Sequence, residues 1–98
     1  MVKIKQNPTG YFQLQIISQS GHPLLESVPF DTEEQAKTIL NQTVSNPIFE
    51  RKTNHQGDFV IALKTAQGTN VGVSSTYTSE AGMENGIKNL RRNLTTMD

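Results

Sequence analysis

Cysteine is absent from this 98-residue chain, which removes disulfides, thiolate metal sites and cysteine nucleophiles together. The two histidines, His22 and His55, fall in turn-rich stretches. Neither has a helical His-x-x-x-His partner or an acidic cluster beside it, so no metal centre is expected. Net charge is missing as well: nine Lys plus Arg balance nine Asp plus Glu. No global field draws the protein towards nucleic acid or an anionic membrane, and any such contact would have to be local. Long hydrophobic runs are lacking, and the opening MVKIKQNPTGYF holds nothing long enough for a signal-peptide core or a membrane span. The expectation is a soluble, cytoplasmic protein that makes no use of a membrane. A phosphate-cradling glycine loop and a dinucleotide fingerprint are also absent, because the glycines fall between strands and not between a strand and a helix. No cofactor is expected.

What is present suffices for one core. Hydrophobic residues make up 34% of the chain, above the range of disordered segments, and the length suits a single domain over residues 1–98. The strongest signal is internal. Sliding the chain against itself by 47 positions, Gly10 onto Gly57, aligns GYFQLQIISQSG with GDFVIALKTAQG without a gap. Lys5 then meets Lys52, Asn7 meets Asn54, Ser27 meets Ser74 and Glu33 meets Glu80. Leu14 with Ile61, Ile16 with Leu63, Phe30 with Tyr77, Ala36 with Met83 and Leu40 with Ile87 keep the apolar pattern. Two copies are expected, at about residues 2–46 and 49–93, since a period of this length marks a repeated supersecondary unit.

Each copy reads strand, strand, strand, helix. VKIK (Val2 to Lys5) and IFERK (Ile48 to Lys52) are short leading strands. Gly10 and Gly57 then close hairpins in which a Cβ would clash. In the second strands Phe12, Leu14 and Ile16, or Phe59, Ile61 and Leu63, recur with the period of a half-buried strand. The third strands, Pro23 to Val28 and Asn70 to Thr76, follow Gly21 and Gly68 and alternate too poorly to name an inward face. The first helix starts at a capping box, Asp31 with Glu34 or Thr32 with Gln35, and carries Ala36, Ile39 and Leu40 on one side. The second is capped by Thr78 or Ser79, with Met83, Ile87, Leu90 and Leu94 at helical spacing and Lys88, Arg91 and Arg92 near its negative end. Val44 to Pro47 forms the linker, with Pro47 driving Asn46 out of the helical region. Units of this size cannot bury enough surface alone. The fold class expected is therefore α+β: two tandem βββα repeats sharing one antiparallel sheet, with both helices packed on one face.

The string YTSEAGMENGIKNLRRN, preceded by the GDFVIALKTAQG hairpin, resembles the YegP-like family of small bacterial proteins. The second copy, Phe49 to Asn93, carries nearly the whole pattern, whereas the first has EEQAKTIL where EAGMENGI stands in the second, so that Thr38 and Ile39 replace Asn85 and Gly86. The resemblance implies βββα units, in tandem or as paired single-copy subunits, joined into one sheet. It further implies strand exchange, each leading strand pairing with the other copy's sheet, and it brings no catalytic residue. Exchange within the chain would complete a monomer, and exchange between chains would give a dimer, so self-association stays open.

Functional candidates are few. Ser27 and Ser74 lack a visible base and oxyanion donors, and their recurrence reads as packing or hydrogen bonding within the third strand. Glu84, Asn85, Lys88, Arg91 and Arg92 are the candidate binding residues. The Asn85–Gly86 pair costs a helix about 1 kcal/mol for the glycine alone, and something must offset that: either close approach to the sheet or a site lined by Glu84 and Asn85. The leading expectation is a binding module without catalysis whose open sheet face or edge meets a protein or peptide. The alternative is weak nucleic-acid binding through Lys88, Arg91 and Arg92, reinforced by Lys52 and Lys64. An enzyme ranks third, for want of a catalytic constellation.

Overall fold

The computed structural model describes residues 1–94. In chain order the elements are β1 (Val2–Gln6), β2 (Phe12–Ile17), β3 (Pro23–Ser27), α1 (Glu33–Ser45), β4 (Ile48–Thr53), β5 (Phe59–Lys64), β6 (Asn70–Ser74) and α2 (Glu80–Leu94). The strands form one six-stranded sheet in the order β1-β2-β3-β6-β5-β4, antiparallel at every pairing.

Local chemistry explains the hairpins. Asn7 Oδ1 accepts the N–H groups of Thr9 and Tyr11, and Asn54 Oδ1 accepts those of Gln56 and Asp58. Both Asx turns mimic a backbone turn and end at a glycine with positive φ, Gly10 at 93° and Gly57 at 83°. The inner hairpins repeat the device with hydroxyls: Ser18 Oγ accepts from His22 N–H, and Thr65 Oγ1 from Thr69 N–H. Of the two capping boxes open to α1, Thr32 with Gln35 forms: Thr32 Oγ1 accepts the Gln35 N–H, while Gln35 reaches back to the N–H of Asp31. Ser79, not Thr78, receives the Gly82 N–H at the start of α2. The first helix runs through Ser45, so Val44 and Ser45 belong to it and the linker reduces to Asn46 and Pro47.

The expected exchange of leading strands does not occur. β1 pairs with β2, and β4 with β5, each over its whole length, because a tight Asx hairpin places the second strand beside the first before any distant partner is available. β1 and β4 are therefore the two edges, and the halves meet in the middle. At that seam Leu25 lies opposite Ser74, Glu26 opposite Val73 and Ser27 opposite Gly72. Positions 25, 26 and 27 correspond to 72, 73 and 74 under the 47-residue shift, so the register is that of a local twofold passing between Glu26 and Val73.

The irregular third strands have a common cause. Pairing of β2 with β3 slips between Ile16 and Ile17, and pairing of β5 with β6 slips between Leu63 and Lys64. The bulges place Leu24–Leu25 and Val71–Gly72 where strict alternation breaks down, which is why the inward face of these strands was illegible in the sequence. Ser27 Oγ accepts the buried Leu14 N–H and donates to Val28 O. Ser74 Oγ does the same for Ile61 N–H and Ser75 O.

One core lies between sheet and helices. Val2, Leu14, Ile16, Leu25, Ile61, Leu63 and Val71 meet Ala36 and Leu40 of α1 and Met83, Ile87, Leu90 and Leu94 of α2. Ile39 is only half-buried, and Thr43 takes a core place, its hydroxyl donating to Ile39 O. α1 packs on β1 and β2, whereas α2 spans the seam, touching β5 and also β2 and β3. At its far end the buried Asn93 accepts from the Met1 nitrogen and donates to Asn89 O.

Candidate functional site

Glu84, Asn85, Lys88, Arg91 and Arg92 are all exposed on α2, and the fold does not gather them into one site. Glu84 turns towards the β4 edge and grips the Arg51 guanidinium bidentately, Nε to Oε2 and Nη2 to Oε1. The partner holds the Glu84 carboxyl below its ordinary value, with Lys88 adding to the effect, and raises the guanidinium in turn. Arg91 lies over the Phe49 ring, 5.2 Å from its centroid, a cation–π contact. Arg92 faces the opposite way, beside Ser18, Gln19 and Ser20 of the β2–β3 turn. Lys52 and Lys64, expected to join these cations, are on the other side of the sheet. The basic patch therefore does not assemble.

Gly86 explains the costly Asn-Gly step. A Cβ there would meet the ring of Tyr77, contacting Oη and coming within 2.5 Å of Cζ and 2.9 Å of Cε1. The glycine thus makes room for an aromatic ring beneath α2. The first half has Ile39 and Phe30 at the equivalent positions, the isoleucine packed against the core that includes Phe30. Burial pushes the Tyr77 hydroxyl up, partly opposed by a hydrogen bond with Ser75. Asn85 itself is exposed on the outer side of the helix.

The sheet face turned away from the helices is the larger open surface. One row of paired residues crosses all six strands: Lys3, Gln15, Glu26, Val73, Ala62 and Glu50. The strand alternation places Lys5, Gln13, Val60, Lys64, Ile48 and Lys52 on the same face. The two halves of this surface differ. Where β2 and β3 present Gln13, Gln15 and Glu26, the equivalent positions of β5 and β6 present Val60, Ala62 and Val73. Val73 is 47% exposed and Ile48 at the edge 38% exposed. Around them Lys64 and Lys52 pair with Glu50 at 3.0 and 3.6 Å, and Lys5 pairs with Glu26 at 3.1 Å. The bonds to Lys64 and Lys52 keep the Glu50 carboxyl below its usual range.

Comparison with known proteins agrees with this geometry. Residues 54–97, the second half, match a domain of unknown function (DUF1508). A UPF0339 protein of Pseudomonas aeruginosa is 26% identical over 93 residues, covering 91% of this chain and 84% of that one. The solution structure of the Escherichia coli protein of unknown function yegP superposes with a TM-score of 0.87 at 22% identity, over 98% of this chain and 86% of that one. A UPF0339 protein of Shewanella oneidensis gives 0.87 at 20% identity, over 98% and 85%. These likenesses agree with the YegP-like resemblance of the sequence. At these identities the two solved structures speak for the fold alone, and none of these proteins' names assigns an activity.

The histidines are exposed in their turns, and the described residues contain no group of three or more His, Cys, Asp or Glu side chains placed to hold a metal. Ser27 and Ser74 are engaged in the strand hydrogen bonds above. Among the described residues no helix is long and apolar enough to cross a membrane. The aliphatic half of the open face was the feature that sequence reading passed over. Its signal was present, in the shift from Gln13, Gln15 and Glu26 to Val60, Ala62 and Val73, but only the sheet order sets those residues side by side.

Proposed function

We propose that the protein is a non-enzymatic binding module whose open sheet face, on the β5–β6 half, receives a protein or peptide partner. It acts as a monomer built of two tandem βββα units, and the second unit carries the contact surface. The observation behind this reading is the contrast between the halves. Equivalent pleat positions are polar in one and aliphatic in the other, so the fold itself does not require aliphatic residues there. Val73 at the seam and Ile48 at the edge are exposed, with Val60 half-buried and Ala62 buried on the same face, and an aliphatic strip of this kind marks an interaction surface. Nucleic-acid binding by α2 loses its motive, because Glu84 and Phe49 engage the neighbourhood of Lys88 and Arg91 while Arg92 points elsewhere.

A photo-crosslinking residue placed at Val73, and separately at its equivalent Glu26 and at Lys37 on α1, tests the reading in the cells that make the protein. Protein adducts concentrated at position 73 are expected. Adducts equally abundant at position 37, or none at 73, would remove the basis for the proposal.

A further inference from the structure

We infer that the segment bound on this face is an acidic polypeptide with aliphatic anchors, an inference that rests on the docking reading just given. The first ground is charge. A chain with no formal net charge nevertheless places Lys3, Lys5, Lys52 and Lys64 on the strands of the open face against Glu26 and Glu50, with Asp58 at the mouth of the β4–β5 hairpin. Both glutamates are already engaged, Glu26 by Lys5 and Glu50 by Lys52 and Lys64, so the strands keep a surplus of positive charge and Lys3 has no ion pair among the described residues. The helix-bearing side is balanced, with Asp31, Glu33, Glu34, Glu80 and Glu84 against Lys37, Arg51, Lys88, Arg91 and Arg92. A partner approaching the sheet face therefore meets a surface that favours carboxylates.

The second ground is shape. Beside the exposed Val73 lies an open depression of about 340 Å³, bordered by Pro23, Leu24, Glu26 and Ser75. It sits at the β3–β6 seam, where β3 and β6 pair over three residues. That hollow accepts an aliphatic side chain, with Val60 and Ala62 extending the apolar floor towards Lys52. Carboxylates flanking such an anchor come within reach of lysines on both sides of the seam.

These two grounds separate the candidate occupants. A second copy seated face to face would oppose two surfaces of the same sign, which is unfavourable. A nucleic-acid strand would find phosphate partners but no stacking platform, since the floor is aliphatic and the exposed aromatic Tyr11 lies away in the β1–β2 hairpin. A polypeptide offering carboxylates and aliphatic side chains matches both features.

The test is fluorescence anisotropy with the intact protein and four labelled probes: peptides of alternating glutamate and valine, lysine and valine, or glutamate and serine, and an oligothymidylate. The glutamate–valine peptide is expected to bind most tightly and to weaken as salt rises. Val73→Glu, at an exposed position that leaves the core untouched, should reduce its affinity by about tenfold or more, the equivalent of 1.4 kcal/mol. Lys52→Gln with Lys64→Gln, which leaves the face with two lysines and two glutamates, should reduce both the affinity and its salt dependence. An unchanged melting temperature would show that each variant is folded. Equal binding of the lysine–valine peptide, lost on Val73→Glu, would overturn the acidic preference while leaving the docking surface in place. Equal binding of glutamate–serine peptide or oligothymidylate, indifferent to Val73→Glu, would reduce the effect to plain polyanion attraction and overturn the inference. Failure of the glutamate–valine peptide to bind would do so too, with crosslinking at Val73 still deciding the docking reading independently.

Discussion

Replacing Gly86 by alanine sets two known effects against each other. Alanine is the better helix former by about 1 kcal/mol, and Gly86 lies well inside α2. An added Cβ, however, would sit 2.5 Å from Tyr77 Cζ and 2.9 Å from Cε1, so the whole ring must swing and not only its hydroxyl. The ring has little freedom, because Tyr77 and Phe59 exchange both backbone hydrogen bonds, each at 2.8 Å. Overpacking of this kind costs about 1–3 kcal/mol. The clash should therefore win, with a net loss of ~1 kcal/mol, seen as a fall in Tm of roughly 4–8 °C for a domain of this size. The sign should reverse when the ring is removed. In a Tyr77→Leu background, Gly86→Ala has nothing comparable to strike, and should stabilise by up to ~1 kcal/mol through helix propensity alone. Urea unfolding of the four proteins closes the double-mutant cycle, with an expected coupling of about 2 kcal/mol, inside the range for residues in contact. Stabilisation by Gly86→Ala in the wild-type chain, or the same effect with and without the ring, would refute the claim that Tyr77 requires the glycine.

Other consequences are equally open to measurement. Ser27→Ala and Ser74→Ala each strand a buried N–H, of Leu14 or Ile61, and should each cost about 1–3 kcal/mol in chemical denaturation; near-neutral results would show that water or a strand shift replaces the hydroxyl. Gly72→Ala puts a Cβ 2.6 Å from Glu26 O and 2.9 Å from Ser27 Cα, and backbone cannot turn aside, so amides along the β3–β6 seam should exchange faster than those of the outer hairpins. Tyr77 is raised above its ordinary value of 10.0 by burial. Its contribution is therefore fully present below that pH and lost as pH rises through the folded value, so an alkaline fall in Tm should shrink in Tyr77→Phe. Glu84 shows the opposite sign, being lowered from 4.5 chiefly by Arg51: its contribution is present above that pH and fades as pH falls through the lowered value. Because both partners are exposed, Arg51→Gln should change the acid limb only slightly.

Much of the fold could be read from residue pattern because its determinants are local. The Asn7 and Asn54 turns, the positive-φ glycines and the apolar stripes of α1 and α2 depend on neighbours within a few positions and were legible, while each helix cap was legible only as one of two residues, which the structure resolves to Thr32 and Ser79. The third strands were not, since a bulge moves Leu24 and Val71 out of simple alternation without altering composition. Strand exchange was expected and did not occur, because the hairpin turns commit β1 to β2 and β4 to β5, leaving β3 and β6 as the edges that must meet. The candidate site fared worse. Glu84, Lys88 and Arg91 share one side of α2, yet what Glu84 and Arg91 touch, Arg51 and Phe49, lies on β4 and is brought there by the packing of the helix.

The chain alone determined the two-unit frame, the turn chemistry and which side of each helix is apolar, because these follow from dihedral preference and periodicity over a few residues. Tertiary structure alone decided that the units join at β3 and β6, that α2 crosses the seam, that Gly86 answers to Tyr77, and that Val60, Ala62 and Val73 lie side by side on the face opposite the helices. Those outcomes rest on contacts between residues far apart in sequence, where register and packing, rather than local preference, select the neighbour.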